Sequence, residues 1–409
     1  MNKKKNQTTE ENFALALQNH KKNNLQIAKK LYNETLKSSP YYEGVHSNLG
    51  ILYNQLGEHQ KAMNCYEKAI KIQPNNSAAY NNLGNTLKEL GEYQKAMSSY
   101  EKAIQINTNY VDAYYNLGII LSELGEYQKA MSSYEKVIQI NPNYANAYYN
   151  LGNTLKELGE YQKAMSSYEK VIQINPNHID AHNNLGIIFN ELGENQKAMS
   201  CYEKVIQINP NYIDAHNNLG IIFKELGEYQ KAMSSYEKVI QINPNYANAY
   251  YNLGIIFKEL GEYQKAMSSY EKVIQINPNH IDAHNNLGNI LNELGENQKA
   301  LNSYEKAIKI EPENLTSHWL SMNTFPVIYN NFEEIDQYRK NFLKSIKKVN
   351  LLLDTQSKYS KKQLVNAIKS STNFYLHYQG KDVLELQQHY AHLIEQITQN
   401  IYQEFHKER

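Results

Sequence analysis

The sequence predicts an all-α fold, in which stacked helical hairpins form an α-solenoid and a further helical segment follows. A pattern of 34 residues recurs from Glu43 to Asn314, and the apolar residues of each copy follow a helical period. One copy is too small to bury its apolar face alone, so neighbouring copies must stack on one another. The array therefore needs no single central core.

Glycine and proline set the register of eight clear repeats. One glycine series, Gly50–Gly288, recurs every 34 residues, and a second series, Gly57–Gly295, lies seven residues later in each repeat. Proline closes the repeats in the series Pro74–Pro312, with Thr108 as the exception. Both residue types interrupt helices, so each repeat is predicted to be helix, turn, helix, turn. The repeats begin at Glu43, Ser77, Val111, Ala145, Ile179, Ile213, Ala247 and Ile281.

Small residues predict where the two helices of a hairpin approach each other. In the repeat Ala145–His178, Gly152 lies in the apolar stripe of the first helix and Ala164 in that of the second. Large side chains such as Tyr168 fill the space on either side. Leucine at Gly152 should overpack the pair and cost about 1–3 kcal/mol.

The remaining residues divide into three parts. Residues 1–8 form a tail, and residues 9–42 are a divergent first hairpin in which Asn23 replaces the turn glycine. An end repeat diverges because one of its faces has no neighbour. Residues 43–314 hold the eight repeats, which gives nine hairpins in all. After Asn314 the period stops, and residues 315–409 are predicted to be a helical segment that caps the stack or docks a partner.

The repeats resemble the tetratricopeptide repeat (TPR) over about three quarters of the chain. The family's signature is aromatic, Leu, Gly, aromatic, Ala, aromatic, Ala and Pro, with mild departures here at Leu155 and Val171. The matching positions of one repeat are Tyr148, Leu151, Gly152, Leu155, Ala164, Tyr168, Val171 and Pro176. The resemblance implies a right-handed superhelix whose first helices line an inner groove, and a role in binding proteins.

The first helices predict a peptide-binding groove on the face opposite their apolar stripe. In one repeat this face carries Asn146, Asn150, Asn153 and Glu157. The ladder of equivalent asparagines is Asn48, Asn82, Asn116, Asn150, Asn184, Asn218, Asn252 and Asn286. Three residues further on are Ile51, Ile119, Ile187, Ile221 and Ile255, with Asn85, Asn153 and Asn289 in the other repeats. Amides suit the backbone of an extended peptide, and apolar patches suit its side chains.

The ladder also admits a purely structural interpretation, in which each asparagine bonds a neighbouring helix and holds the stack together. A clamp for the acidic tails of heat-shock chaperones is not predicted. TPR domains of that kind carry Lys or Arg on the inner face, where this chain has residues such as Ser47, Asn81 and Tyr115.

No cofactor or metal site is predicted. His178 and His182 have the four-residue spacing that can hold a metal on a helix, but they lie at the start of a helix, and His182 occupies an aromatic position. A packed, hydrogen-bonded imidazole is the preferred interpretation there and at His280 and His284. The repeats contain no phosphate-binding glycine loop and no nucleophile motif.

Composition points to protein partners. Lys plus Arg and Asp plus Glu are both 42, so the formal net charge is zero, and the only arginines are Arg339 and Arg409. Nucleic acid and anionic membranes are therefore not expected as partners. Cys65 and Cys201 occupy the same position four repeats apart, too far for a disulfide. With no signal peptide or membrane span, a soluble cytoplasmic protein is predicted.

The segment after the repeats resembles a particular connector. Phe325–Phe342 and Ser370–Ile394 are similar to the link between TPR repeats and the catalytic half of SPINDLY-type protein glycosyltransferases, the O-linked N-acetylglucosamine transferase family. The resemblance implies a scaffold related to the substrate-selecting part of such enzymes, without a catalytic residue of its own. The alternative is membership of an active transferase, through a truncated gene model or a separate catalytic chain.

Overall fold

A computed structural model describes residues 8–326, 329, 331–355, 359–370 and 382–407 of the chain. These residues form 22 α-helices and no strand. The chain divides into two compact units, unit 1 (residues 1–209) and unit 2 (residues 210–409). The predicted fold class, an all-α solenoid of helical hairpins, is confirmed.

The described part of unit 1 consists of six hairpins. Their helices are α1 (Thr9–Lys21), α2 (Leu25–Ser38), α3 (Val45–Gln55), α4 (His59–Ile72), α5 (Ser77–Glu89), α6 (Tyr93–Ile106), α7 (Val111–Glu123), α8 (Tyr127–Ile140), α9 (Ala145–Glu157), α10 (Tyr161–Ile174), α11 (Ile179–Glu191) and α12 (Asn195–Ile208). Odd-numbered helices are the first helices of the hairpins, and even-numbered helices are the second.

The described part of unit 2 has three more hairpins and then four further helices. The hairpins are α13 (Ile213–Glu225) with α14 (Tyr229–Ile242), α15 (Ala247–Glu259) with α16 (Tyr263–Ile276), and α17 (Ile281–Glu293) with α18 (Asn297–Ile310). The further helices are α19 (Leu315–Met322), α20 (Phe332–Thr355), α21 (Lys361–Ser370) and α22 (Leu384–Lys407).

The turn within each hairpin requires a residue with positive φ. In the hairpin of α9 and α10, Gly159 has φ +72°. Its N–H donates to the Lys156 carbonyl, and the next N–H, of Glu160, reaches back to the Leu155 carbonyl; both distances are 2.9 Å. This arrangement satisfies two carbonyls at the end of α9 and sends the chain into α10. In the first hairpin, Asn23 (φ +59°) adopts the same backbone conformation.

The glycine within each first helix makes room for a tyrosine ring of the second helix. A Cβ atom at Gly152 would lie 2.7 Å from Cε1 of Tyr168, a distance that carbon atoms do not tolerate. The Tyr168 side chain is fully buried. The close approach predicted between Gly152 and Ala164 therefore takes the form of a glycine under an aromatic ring. The other seven repeats have the same pairing, from Gly50–Tyr66 to Gly288–Tyr304.

In unit 2, α19 connects the last hairpin to the C-terminal helices. On one face, Leu320 packs with Leu291, Ala300 and Tyr304 of the last hairpin. On the other face, Trp319 belongs to a separate apolar cluster formed with α20, α21 and α22. The short helix α19 thus covers the apolar end of the repeats and carries the core of the following segment.

Candidate peptide-binding groove

In unit 1 the first helices of successive hairpins approach each other more closely than the second helices do. Each of α1, α3, α5 and α7 has Cα atoms within 8 Å of the next first helix. Successive second helices make no comparable approach in the described part of the unit. Hairpins that converge on one side diverge on the other, so the first helices lie on the inner side of the unit. We call the surface formed by the ladder asparagines and the residues three positions later the groove face.

All eight ladder asparagines lie on first helices, and all are half-buried. Unit 1 carries Asn48, Asn82, Asn116, Asn150 and Asn184, and unit 2 carries Asn218, Asn252 and Asn286. Half-burial leaves part of each amide accessible and brings the rest against the neighbouring hairpin.

In four ladder asparagines, Asn116, Asn150, Asn184 and Asn286, the amide NH₂ group bonds to the preceding hairpin. Asn150 Nδ2 donates to the Tyr115 hydroxyl at 3.1 Å, and Asn286 Nδ2 donates to the Tyr251 hydroxyl at 3.2 Å. Asn184 Nδ2 contacts the equivalent hydroxyl of its neighbour at 3.4 Å. These bonds join consecutive first helices within each unit. In these asparagines the NH₂ groups therefore hold neighbouring hairpins together, which is the structural role that the sequence left open.

Two ladder asparagines also bond amides of the preceding hairpin. Asn116 Nδ2 donates to Asn85 Oδ1, and Asn184 Nδ2 donates to Asn153 Oδ1, both at 3.0 Å. A side-chain network thus runs between neighbouring first helices. Since it fixes the orientation of each amide plane, it also fixes the direction in which the other end of the amide points.

In three ladder asparagines of unit 1 the accessible half of the amide is its oxygen. Within the described part of unit 1, the Oδ1 atoms of Asn116, Asn150 and Asn184 accept no hydrogen bond, and none of them is a buried unpaired atom. They therefore reach solvent as oriented acceptors. In unit 2 the Asn252 oxygen accepts from Lys224 Nζ at 3.0 Å. The groove face of unit 1 is accordingly the better supported candidate site.

The three asparagines that replace isoleucine on the groove face have a second partner that sequence reasoning missed. Each accepts a hydrogen bond from the buried tyrosine of its own hairpin. The Oη–Oδ1 distances are 2.7 Å for Tyr100 and Asn85, 2.7 Å for Tyr168 and Asn153, and 2.8 Å for Tyr304 and Asn289. The sequence could have indicated this hydrogen bond, because a buried tyrosine hydroxyl normally requires a partner.

Replacing Tyr168 with Phe should lower the free energy of unfolding by about 1 kcal/mol, because it removes the hydroxyl bonded to Asn153. Tyr236 is the matched control. In that repeat, isoleucine (Ile221) occupies the groove position that corresponds to Asn153. The Tyr236 hydroxyl is therefore buried with no partner in the described residues. We expect Tyr236→Phe to be neutral or stabilising. Urea denaturation of both variants measures the difference, and equal losses would show that the Asn153 bond contributes nothing.

The isoleucines of the groove face are all half-buried. Ile51, Ile119 and Ile187 lie in unit 1, and Ile221 and Ile255 lie in unit 2. Each leaves part of an apolar side chain accessible beside a ladder asparagine. In unit 1 the groove face therefore alternates amide oxygens with apolar surface.

Tyrosines next to the ladder accept hydrogen bonds from its amides, a role that the sequence did not reveal. The Tyr115 ring lies 5.2 Å from Tyr144, and the Tyr149 ring lies 5.1 Å from His178, measured between centroids. Burial raises the pKa of Tyr115, so its hydroxyl stays neutral and can both donate and accept. These rings hold the hydroxyls against which the ladder amides are oriented.

The histidine pairs are engaged locally. His182 Nε2 lies 3.0 Å from the Pro176 carbonyl, and His178 Nδ1 accepts the Ala181 N–H at 3.2 Å at the start of α11. The described residues contain no group of three His, Cys, Asp or Glu side chains placed to hold a metal. Both cysteines, Cys65 and Cys201, are free thiols, and burial raises the pKa of each to about 11.

No helix in the described ranges is both long enough and apolar enough to span a bilayer.

Stacked hairpins with an inner row of first helices define a solenoid-type protein-interaction scaffold. Family models described as TPR repeat match residues 52–91, 84–125, 120–159, 187–227 and 222–261. Models described as Tetratricopeptide repeat match residues 145–178, 247–280, 281–314 and 167–199. These matches together span residues 52–314, which is more than half of the 409 residues. The chain belongs to the tetratricopeptide repeat family.

Solved structures of TPR proteins resemble the chain. A C-terminal part of a TPR repeat-containing protein from Cytophaga hutchinsonii is 21% identical and covers 59% of this chain and 99% of its own, with a TM-score of 0.53; at that identity it shows the fold alone. MamA is 31% identical and covers 39% of this chain and 94% of its own, with a TM-score of 0.38. YrrB, described as a TPR protein with an unusual peptide-binding site, is 24% identical. It covers 45% of this chain and 95% of its own, with a TM-score of 0.40. No curated protein matches the chain.

Proposed function

We propose that the chain binds extended peptide segments of partner proteins along the groove face of unit 1. One observation carries the proposal. The amides of Asn116, Asn150 and Asn184 are held through their nitrogen atoms, while their oxygen atoms accept no hydrogen bond from the described residues and reach solvent. Three oriented acceptors, one in each of three successive hairpins, suit the N–H groups of an extended peptide.

The geometry favours a neutral peptide with apolar side chains. The acceptors are uncharged amides, and Ile119 and Ile187 offer apolar surface beside them. Because the network under the ladder already orients the amides, a peptide need not spend binding free energy on ordering them. Binding of this kind should depend only weakly on salt, since no ion pair forms.

Selection from a library of short random peptides tests the proposal. The full chain is used as bait, and the enriched peptides are then measured against a triple variant, Asn116→Ala, Asn150→Ala and Asn184→Ala. We expect the triple variant to lose affinity by roughly tenfold or more, because three accepted hydrogen bonds disappear. A matched control replaces Gln128, Gln162 and Gln196, exposed on the second helices, with Ala.

The control should keep full affinity. Circular dichroism must show that both variants retain their helical content, because the ladder NH₂ groups also join the hairpins. The proposal fails if no peptide is enriched, or if every enriched peptide binds the folded triple variant as well as the wild type.

A narrower proposal concerns what the scaffold serves. The sequence of Phe325–Phe342 supports a role in selecting substrates for a protein O-glycosyltransferase, in the reducing cytoplasm and with the catalytic half on a separate chain. Residues 371–381 of the second connector-like stretch lie outside the described residues. We expect the purified chain alone to hydrolyse neither UDP-N-acetylglucosamine nor GDP-sugars. Turnover of either donor would instead favour the alternative, an active transferase.

A further inference from the structure

A cavity of about 390 Å³ lies where the ends of α2 and α4 meet the loop before α3 and the first turn of α3. Its lining combines apolar residues with two lysines and a histidine: Leu36, Pro40, Tyr41, His46, Lys68, Lys71 and Ile72.

The two lysines of this cavity lack the hydrogen-bond acceptor that the equivalent lysine has in the next repeats. Both side chains are exposed, and neither ammonium lies within 4.0 Å of a carboxylate in the described residues. In the next repeats the position of Lys71 is glutamine, which accepts from the neighbouring lysine: Lys102 to Gln105 at 3.2 Å, and Lys136 to Gln139 at 2.8 Å. Here a second positive charge replaces that acceptor, so the cavity has an uncompensated positive rim.

An aromatic residue is also specific to this cavity. Tyr41 is 79% exposed, which is unusual for a side chain of its size. The corresponding residue is asparagine in the next repeats, for example Asn75 and Asn109. Together with Leu36 and Ile72, the Tyr41 ring gives the cavity an apolar wall beside the two lysines.

His46 supplies a buried polar atom without a partner. The residue is 9% exposed, and its Nε2 lies 3.0 Å from the Pro40 carbonyl. Its Nδ1 atom is buried and has no hydrogen-bond partner among the described residues, so the imidazole forms part of the cavity wall and offers no accessible nitrogen. The equivalent His182 and His284 make the same contact with a proline carbonyl, but neither of their Nδ1 atoms is both buried and unpaired.

We propose that this cavity binds an acidic peptide segment, with a carboxylate on Lys68 and Lys71 and an adjacent apolar side chain on Tyr41, Leu36 and Ile72. Charge complementarity selects the carboxylate, since two lysines line one opening and neither ammonium lies within 4.0 Å of a carboxylate in the described residues. The apolar wall selects a peptide over a small inorganic anion. None of the residues that line this site belongs to the groove face, so the site does not depend on it.

The other repeats provide the variant that tests this site. The double variant Tyr41→Asn and Lys71→Gln installs the residues found in the internal repeats, so it should fold as they do. Peptides enriched from the random library on the wild-type chain are measured again on this variant and on the ladder triple variant. We expect a pool rich in Asp or Glu beside Leu or Phe, which loses roughly tenfold in affinity on the double variant and nothing on the triple variant.

Competition with phosphate separates a peptide site from a simple anion site. Inorganic phosphate at the same ionic strength should not displace the peptides, because it cannot use the apolar wall. The proposal is overturned if no acidic pool is enriched, if the acidic pool binds the double variant unchanged, or if phosphate displaces it.

Discussion

Trp319→Ala should lower the free energy of unfolding of the C-terminal part of unit 2 by about 3–5 kcal/mol, because it opens a large cavity in a closed cluster. The Trp319 side chain is fully buried, and its ring lies 5.7 Å from that of Tyr390 on α22. It is also close to Leu315, Met322 and Phe342 in the same cluster. We expect α20 to α22 to lose protection first, and α18 to follow because α19 covers it.

Hydrogen exchange read by mass spectrometry measures this loss helix by helix. Leu351→Ala is the matched control, because Leu351 lies on α20 but is 54% exposed; it should change stability by less than about 0.5 kcal/mol. In the wild type, fluorescence of Trp319, the only tryptophan of the sequence, reports unfolding of this segment. Equal exchange in Trp319→Ala and Leu351→Ala would contradict the packing described for α19.

Gly152→Leu should destabilise the hairpin of α9 and α10 by about 1–3 kcal/mol. Even the first added carbon would lie 2.7 Å from the Tyr168 ring, so the ring or the helix must move. Asn146→Leu adds a similar side chain to the same helix at an exposed position and should have little effect. The shift of the urea midpoint relative to wild type measures both changes.

A double-mutant cycle tests the cause of the Gly152 effect. In a Tyr168→Ala background the ring is absent, so Gly152→Leu should cost clearly less than it does in the wild type. If the cost is the same in both backgrounds, the clash is not with Tyr168, and the glycine has another role.

Periodicity predicted the hairpins well because helix ends depend on local residues. Gly159 and Asn23 end their helices through backbone conformations that their own side chains permit. In α20, Phe342 and Ile346 are four residues apart and lie on one buried face, as a helical period requires. Such features need no knowledge of the neighbouring helix.

Contacts between helices could not be predicted in the same way. The sequence placed Asn150 on the groove face, but its donor bond to Tyr115 depends on how the preceding hairpin is seated. The bond between Tyr168 and Asn153 joins residues on different helices and was likewise hidden. The unpaired Nδ1 of His46 appears only when the ends of α2 and α4 close around it. A pattern assigns a residue to a face, whereas hydrogen-bond partners follow from packing.

Peptide binding on the first-helix side is the central claim, and site-specific photo-crosslinking tests it most directly. A benzophenone side chain is placed at Asn146, exposed on α9, or at Gln162, exposed on α10 of the same hairpin. A labelled peptide that the ladder triple variant fails to bind is then added and irradiated. We predict a crosslink from position 146 and none from position 162. A crosslink from position 162 alone would place the peptide on the second helices and contradict the groove.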